Sequence, residues 1–278
     1  MAEPLVEAVL RRDRIVLAVA LLAITALAWF YVLYLVADMQ APGMDMRGMR
    51  MVPAGVGWMM PASAPWGGLE MLLVFLMWTV MMIGMMTPSA APMVLIYARV
   101  GRQAALRQQP FAAAGFVLAG YLLVWIGFSL LATAAQWAAE RATLLSPAMS
   151  LSGARVGGAL LVLAGLYQWS SIKRSCLHHC SSPLAFLQQH GGFRGDARGA
   201  LRLGLAHGVY CVGCCWTLMV LLFVGGIMNI VWIAALAALA LLERAVPQGL
   251  LIARLAGVAL AVAGTALLLD PQPHLLRQ

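Results

Sequence analysis

The run IVLAVALLAITALAWFYVLYLV, residues 15–36, decides the class of fold, because it holds 22 residues without one charged side chain. A helix rises about 1.5 Å per residue, so such a run covers roughly 33 Å, the hydrocarbon thickness of a bilayer. Arg11, Arg12 and Arg14 precede it, a basic start shared with signal peptides. The run is longer than the roughly 7–15 apolar residues of a signal peptide, however, and reads as a membrane span.

Further apolar runs follow at 69–97 (through Pro88 and Pro92), 111–135, 153–172, 200–224, 227–242 and 250–269. Across the chain 63% of residues are apolar and 10% charged, with a mean hydropathy of +0.89. Soluble domains carry about a quarter charged residues. The expected fold is therefore all-α, a polytopic bundle of about seven transmembrane helices forming one domain over 15–270. Segment 1–14 and a cysteine- and histidine-bearing loop at 173–199 flank it on one side. A methionine-rich loop at 37–68 lies on the other, and 271–278 is a tail. The shortest run, 227–242, carries the weakest spanning signal.

Basic residues set the expected direction. Arg99, Arg102 and Arg107 follow the second run, and Lys173, Arg174, Arg194, Arg198 and Arg202 follow the fourth. Positive charge collects on the cytoplasmic side, which places the N-terminus and the 173–199 loop inside and the 37–68 loop outside. The same topology accounts for the net charge of +8. Its basic residues sit in short loops without interleaved aromatics, so no nucleic-acid partner is expected. Nucleotide-binding and acyl-transfer motifs are absent as well. Small residues at helical spacing, Gly204 with Gly208 and Gly153 with Gly157, suit close helix packing.

Soft ligands are concentrated. Residues 176–180 read CLHHC, placing Cys176, His178, His179 and Cys180 within five positions. Residues 207–215 read HGVYCVGCC, and on a helix His207, Cys211, Cys214 and Cys215 fall within an arc of roughly 100°. Buried cysteines also serve as plain packing, but a histidine inside a membrane helix needs polar company, and four such residues on one arc favour a metal site. None of the five cysteines falls in an outer segment, which argues against a disulfide framework.

The chain also has 18 methionines. Residues 44–51 read MDMRGMRM, so Met44, Met46, Met49 and Met51 put four thioethers in a polar outer loop. Met77, Met81 and Met85 form an i, i+4, i+8 stripe in the second helix, which Met82 and Met86 widen. Methionine fills gaps in many cores, so part of this stripe is packing. Thioethers bind Cu(I) well and Zn(II) poorly, whereas thiolates and imidazoles take either. Cu(I) is therefore the favoured ion and Zn(II) the alternative.

At MWTVMMIGMMTP (77–88), Tyr167-Gln168, Lys173, Cys176-x3-Cys180, Gly204-x3-Gly208-x2-Cys211-x2-Cys214-Cys215-Trp216, Met228-Asn229 and Glu243-Arg244, the sequence resembles a bacterial family of integral membrane proteins predicted to bind metal. The resemblance implies metal binding in a bacterial cytoplasmic (inner) membrane. Glu243 reads as half of an ion pair at the membrane interface, its partner Arg244 or another cytoplasmic basic residue, and Arg244 keeps the positive charge where the resemblance implies Lys. Glu70 reads as a favourable charge at the start of the second helix.

These observations lead to a soft-metal protein, acting in copper transport or in delivery to a membrane cuproenzyme or exchange with a soluble copper chaperone. A thiol- or metal-dependent membrane oxidoreductase is the enzymatic alternative. It is the less favoured one, because no C-x-x-C stands beside a βαβ pattern, although Cys211-x2-Cys214 has the spacing. A scaffold subunit whose cysteines only pack is the third.

Overall fold

A computed structural model describes residues 3–39, 48–106, 108, 112–146, 149–193 and 195–269. Met44, Met46 and the 271–278 tail lie outside them. The chain runs α1 (Glu3–Met39), β1 (Met49–Met51), β2 (Met59–Pro61), α2 (Gly68–Leu106), α3 (Ala114–Arg141), α4 (Ala154–Gln168), α5 (Ser171–Ser181), α6 (Pro183–Gln189), α7 (Ala197–Val220), α8 (Leu222–Gly225), α9 (Ile230–Ala245) and α10 (Gly249–Leu269). The fold is all-α apart from the small β1–β2 hairpin.

Five segments are long and apolar enough to cross a membrane: Ile15–Met39, Gly68–Ala104, Ala114–Arg141, Ala197–Gly225 and Gly249–Leu269. The other two expected spans are helical but short, 15 residues in α4 and 16 in α9. Local chemistry stops both. Ser170 leaves the helix and caps the next one, its hydroxyl accepting from Lys173 N at 3.1 Å. In α9 the start waits for Asn229, whose side chain accepts from Trp232 N at 3.2 Å. Its end comes at Val246, which Pro247 holds in an extended conformation.

Residues 173–199 are not the loop that their polarity suggested. Two further helices occupy most of it, α5 and α6, the latter opening on Pro183 at its first turn. α5 packs along α7, so the cysteine- and histidine-bearing segment is part of the bundle. Helix α2, in contrast, continues without a break past Pro88 and Pro92 to Leu106.

Helices α2 and α7 form the centre. In each, 56% of the most apolar window is buried, against 17% in α1 and α10. The outward faces of α1 (Leu22, Leu27, Phe30) and α10 (Leu251, Leu255, Val262) are exposed and apolar. Exposed apolar surface of this extent is costly in water and free of cost against lipid tails, which is consistent with an integral membrane protein.

Glycines set the closest approaches. A Cβ on Gly204 of α7 would overlap the backbone of Val117 in α3, and one on Gly120 would overlap the Leu201 carbonyl. Gly208 completes this crossing against Val124. In α4 the corresponding contact falls on Gly158 and Gly165 against Gly264 and Gly257 of α10, rather than on the Gly153–Gly157 pair that spacing suggested.

The β1–β2 hairpin is strapped over one end of the bundle. Arg50 donates to both Glu70 oxygens, at 2.6 and 2.8 Å, and to the carbonyls of Pro61, Ala62 and Ala64. That hydrogen bond to Glu70 holds the Arg50 guanidinium above its usual pKa. Glu70 is thus chiefly the partner of Arg50 rather than only a charge at a helix start. Asp38 accepts from Gly57 N at 3.0 Å, and Tyr34 donates to the Gly55 carbonyl. Trp66 donates to Glu140, tying the strap to the end of α3.

Deeper in the bundle, Lys173 of α5 is fully buried. Its Nζ lies 2.6 Å from Glu243 of α9 and donates to the Cys214 carbonyl of α7, also at 2.6 Å. Gln168 donates to the other Glu243 oxygen at 3.2 Å. Glu243 is therefore paired with Lys173 inside the bundle, and not with its neighbour Arg244.

Two stability predictions follow from these contacts. Gly204→Leu forces α3 and α7 apart and lowers the unfolding temperature in detergent, with a destabilisation of about 1–3 kcal/mol; Gly127→Leu, which faces open space, leaves it unchanged. Glu243→Gln strands the Lys173 charge and destabilises by about 3–5 kcal/mol, while Lys173→Met with Glu243→Leu restores most of the loss in the same unfolding measurement.

Candidate metal centre

Helix α7 begins at Asp196, whose carboxylate caps it by accepting from Gly199 N at 2.8 Å. From there a turn of 3.6 residues carries His207, Cys211, Cys214 and Cys215 along one buried face. All four are buried, but they do not share one site.

Cys214 and Cys215 stand 3.6 Å apart at their sulfurs. Cys180, brought in by α5, lies 3.9 Å from Cys214 Sγ. The three thiols form a row with Cys214 in the middle, drawn from two helices. All five cysteines are free.

The row has a charged companion that sequence reasoning offered only as a partner for Glu243. Arg244 of α9 points its Nη2 at Cys215 Sγ and lies 3.2 Å from Cys214 Sγ and 3.4 Å from the Cys211 carbonyl. The residue is buried. A guanidinium withdrawn from water needs an anion or several acceptors, and here two sulfurs and a carbonyl supply them. Its neighbour Glu243 faces Lys173, so consecutive residues serve two different partners. The signal available in sequence was the Glu243-Arg244 pair in a helix otherwise made of Ala, Leu, Ile, Val and Trp.

Cys211 turns elsewhere, its sulfur 3.0 Å from the Tyr121 hydroxyl, which also donates to the Met86 carbonyl at 2.9 Å. His207 packs between the rings of Tyr121 and Phe186, with centroids at 5.6 and 5.3 Å. Its Nδ1 is buried without a hydrogen-bond partner. Cys176 is half-buried beside Gly213, where burial pushes its thiol pKa up. His178 is exposed, and His179 is stacked on Tyr210 at 4.4 Å. Among the described residues no set of three or more His, Cys, Asp or Glu side chains converges on a point as a ready metal cage.

Met77, Met81 and Met85 are almost fully buried, as are Met82 and Met86. They belong to the same apolar core cluster as Cys180, Cys211, Cys214, Cys215 and Met219. Met81 and Met85 line a small crevice with Trp29, Val32, Gly84 and Ile233. Of the outer thioethers, Met49 is half-buried and Met51 buried under the strap, apart from this cluster.

Two metal–sulfur bonds of about 2.3 Å span at most roughly 4.6 Å. Both separations in the row, 3.6 and 3.9 Å, lie inside that limit. Two of these sulfurs can therefore hold one soft ion between them without movement of the helices.

No curated protein and no solved structure matches the chain. A family model does, over residues 75–267, more than two thirds of its length and the whole of the region that builds the thiol row. By that match the chain belongs to the PpoB2 copper chaperone family.

Proposed function

We propose that this protein is an integral membrane Cu(I) chaperone that holds the ion on the Cys180–Cys214–Cys215 row and delivers it to a membrane cuproenzyme. The observation that carries the reading is a buried guanidinium set against the thiols of Cys214 and Cys215, with the Cys180 thiol of α5 beside Cys214, inside a core rich in methionine.

The donor set supports Cu(I) over Zn(II). Every side-chain donor in the row is sulfur, and the ligands in the surrounding core are thioethers, which suit the monovalent ion. Charge points the same way. Lys173 and Arg244 outweigh Glu243 by one positive charge, and a Cu(I) ion on two thiolates carries one negative charge. The loaded interior is then neutral, which a buried group of this kind requires. Zn(II) needs a third thiolate for the same balance and prefers four ligands.

Arg244 has a defined part in this reading. Its guanidinium lies against both sulfurs and would offset the negative charge that Cys214 and Cys215 carry when they hold an ion. The methionines around the row would receive the ion as it leaves the thiols, since a thioether holds Cu(I) without adding charge. With the N-terminus cytoplasmic, Met44, Met46, Met49 and Met51 would meet copper on the outer side.

Protein purified without chelator and loaded anaerobically should carry a thiol-held Cu(I) that Cys214→Ser with Cys215→Ser abolishes, read by metal analysis; an unchanged copper content in that variant would overturn the proposal. Cys176→Ser should leave the content unchanged. Hydrogen bonds to a charged group contribute about 1.5–3 kcal/mol, so Arg244→Met should weaken Cu(I) affinity roughly 10- to 100-fold in a chelator competition, with Arg244→Lys falling between.

A further inference from the structure

The thiol row is closed to its surroundings. Cys180, Cys214 and Cys215 are 6%, 0% and 0% exposed, and Cys211 is 1% exposed. Of the five cysteines, Cys176 alone is half-buried. Cu(I) is carried on soft ligands, so it changes hands when an incoming sulfur attaches before the outgoing one leaves. A carrier outside the protein has no contact with the row through which to do this.

Cys176 holds the position that such an exchange needs. α5 and α7 pass each other in opposite directions: His179 stacks on Tyr210, and three residues earlier on α5 Cys176 meets Gly213, three residues later on α7. A Cβ added to Gly213 would come within 2.8 Å of the Cys176 sulfur, so the absent side chain makes the recess in which that sulfur lies against α7. The Tyr167 hydroxyl donates to the Gly213 carbonyl and fixes the backbone of the recess. Cys214, the middle of the row, is the next residue of α7. Cys180 is one turn along α5, where residues i and i+4 stand about 5–6 Å apart at Cβ. Around Cys176 on α5, Arg174, Ser175 and His178 are exposed. This sulfur therefore adjoins both the surface and the row.

We propose that Cys176 is the exchange ligand of this protein, the thiol through which Cu(I) on a thiol carrier enters and leaves the row without being retained there. The inference rests on the thiol-row reading above. In the first step the Cys176 sulfur bonds the ion and one carrier sulfur–copper bond breaks, the Cys176 proton passing to the released carrier thiolate. In the second, Cys214 bonds the ion, the other carrier bond breaks, and the Cys214 proton goes to that carrier thiolate. In the third, a second sulfur of the row replaces Cys176 and returns a proton to it. Copper stays monovalent throughout, and Cys176 ends as the thiol that it began as.

The test mixes the full chain in detergent, unloaded and anaerobic, with Cu(I) as its glutathione complex and follows protein-held copper over time. Cys176→Ser should reach the wild-type copper content, but more slowly by roughly tenfold, the rate change of a barrier raised by about 1.4 kcal/mol. Gly213→Ala keeps every thiol but displaces the Cys176 sulfur, and should also slow loading; Gly127→Ala, which faces open space, should not. A maleimide should label one thiol of the unloaded folded chain and none in Cys176→Ser. Loading of Cys176→Ser at the wild-type rate, or labelling of a row thiol, overturns this inference alone. A lower final content in folded Cys176→Ser overturns it as well, since Cys176 would then retain the ion. Wild type that takes up no copper overturns the thiol-row reading and this inference with it. Unfolding temperatures identify a folding defect, and Cys176→Ala supplies a second substitution with the same expected slowing.

Discussion

Three charges withdrawn from solvent organise this molecule. Lys173, Glu243 and Arg244 come from α5 and α9, and their acceptors include the backbone and sulfurs of α7. A buried charge without partners costs several kcal/mol, so the three helices are held in one register in which every charge is met. That register also brings Cys180 to Cys214. The thiol row is thus a consequence of electrostatic satisfaction, and the sulfurs of Cys214 and Cys215 take part in it as acceptors.

The same requirement explains the broken helices. Helix α4 ends at Gln168, and the chain restarts at Ser171 in a new direction that carries Lys173 and Cys180 against α7. Interrupted helices are tolerated inside a bundle when side chains satisfy the freed backbone groups, as Ser170 does here. Tyr167 donates to the Gly213 carbonyl at 2.5 Å, one residue before the thiol pair. Glycine crossings at α3–α7 and α4–α10 supply the close packing that keeps this arrangement rigid, since lipid offers no hydrophobic drive for helices to associate.

At the far end of α2 the strap is built on a different principle. Arg50 and Glu70 form a bidentate pair closed over by backbone carbonyls, and the Trp66–Glu140 bond completes it. Within the strap Met51 is buried and Met49 half-open, so these two thioethers are tied to the bundle. Among the described residues, methionine thus occurs both at the strap and in the core with the cysteines.

Length, apolarity and the soft-ligand inventory were legible in the chain itself. The run at 15–36, the other long apolar segments, the α3–α7 glycines and the sulfur-rich composition depend on local periodicity and chemistry, which sequence records directly. Which ligands meet was not legible. His207, Cys211, Cys214 and Cys215 share a helical face, yet the tertiary structure separates His207 and Cys211 from the other two and adds Cys180 from a segment whose polarity resembled a loop. Arg244 read only as a partner for Glu243 for the same reason, and His190 looked isolated. Helical spacing decides only which side of one helix a residue occupies. The partner on that side is chosen by packing and by the need to neutralise buried charge across helices, and that choice exists only in three dimensions.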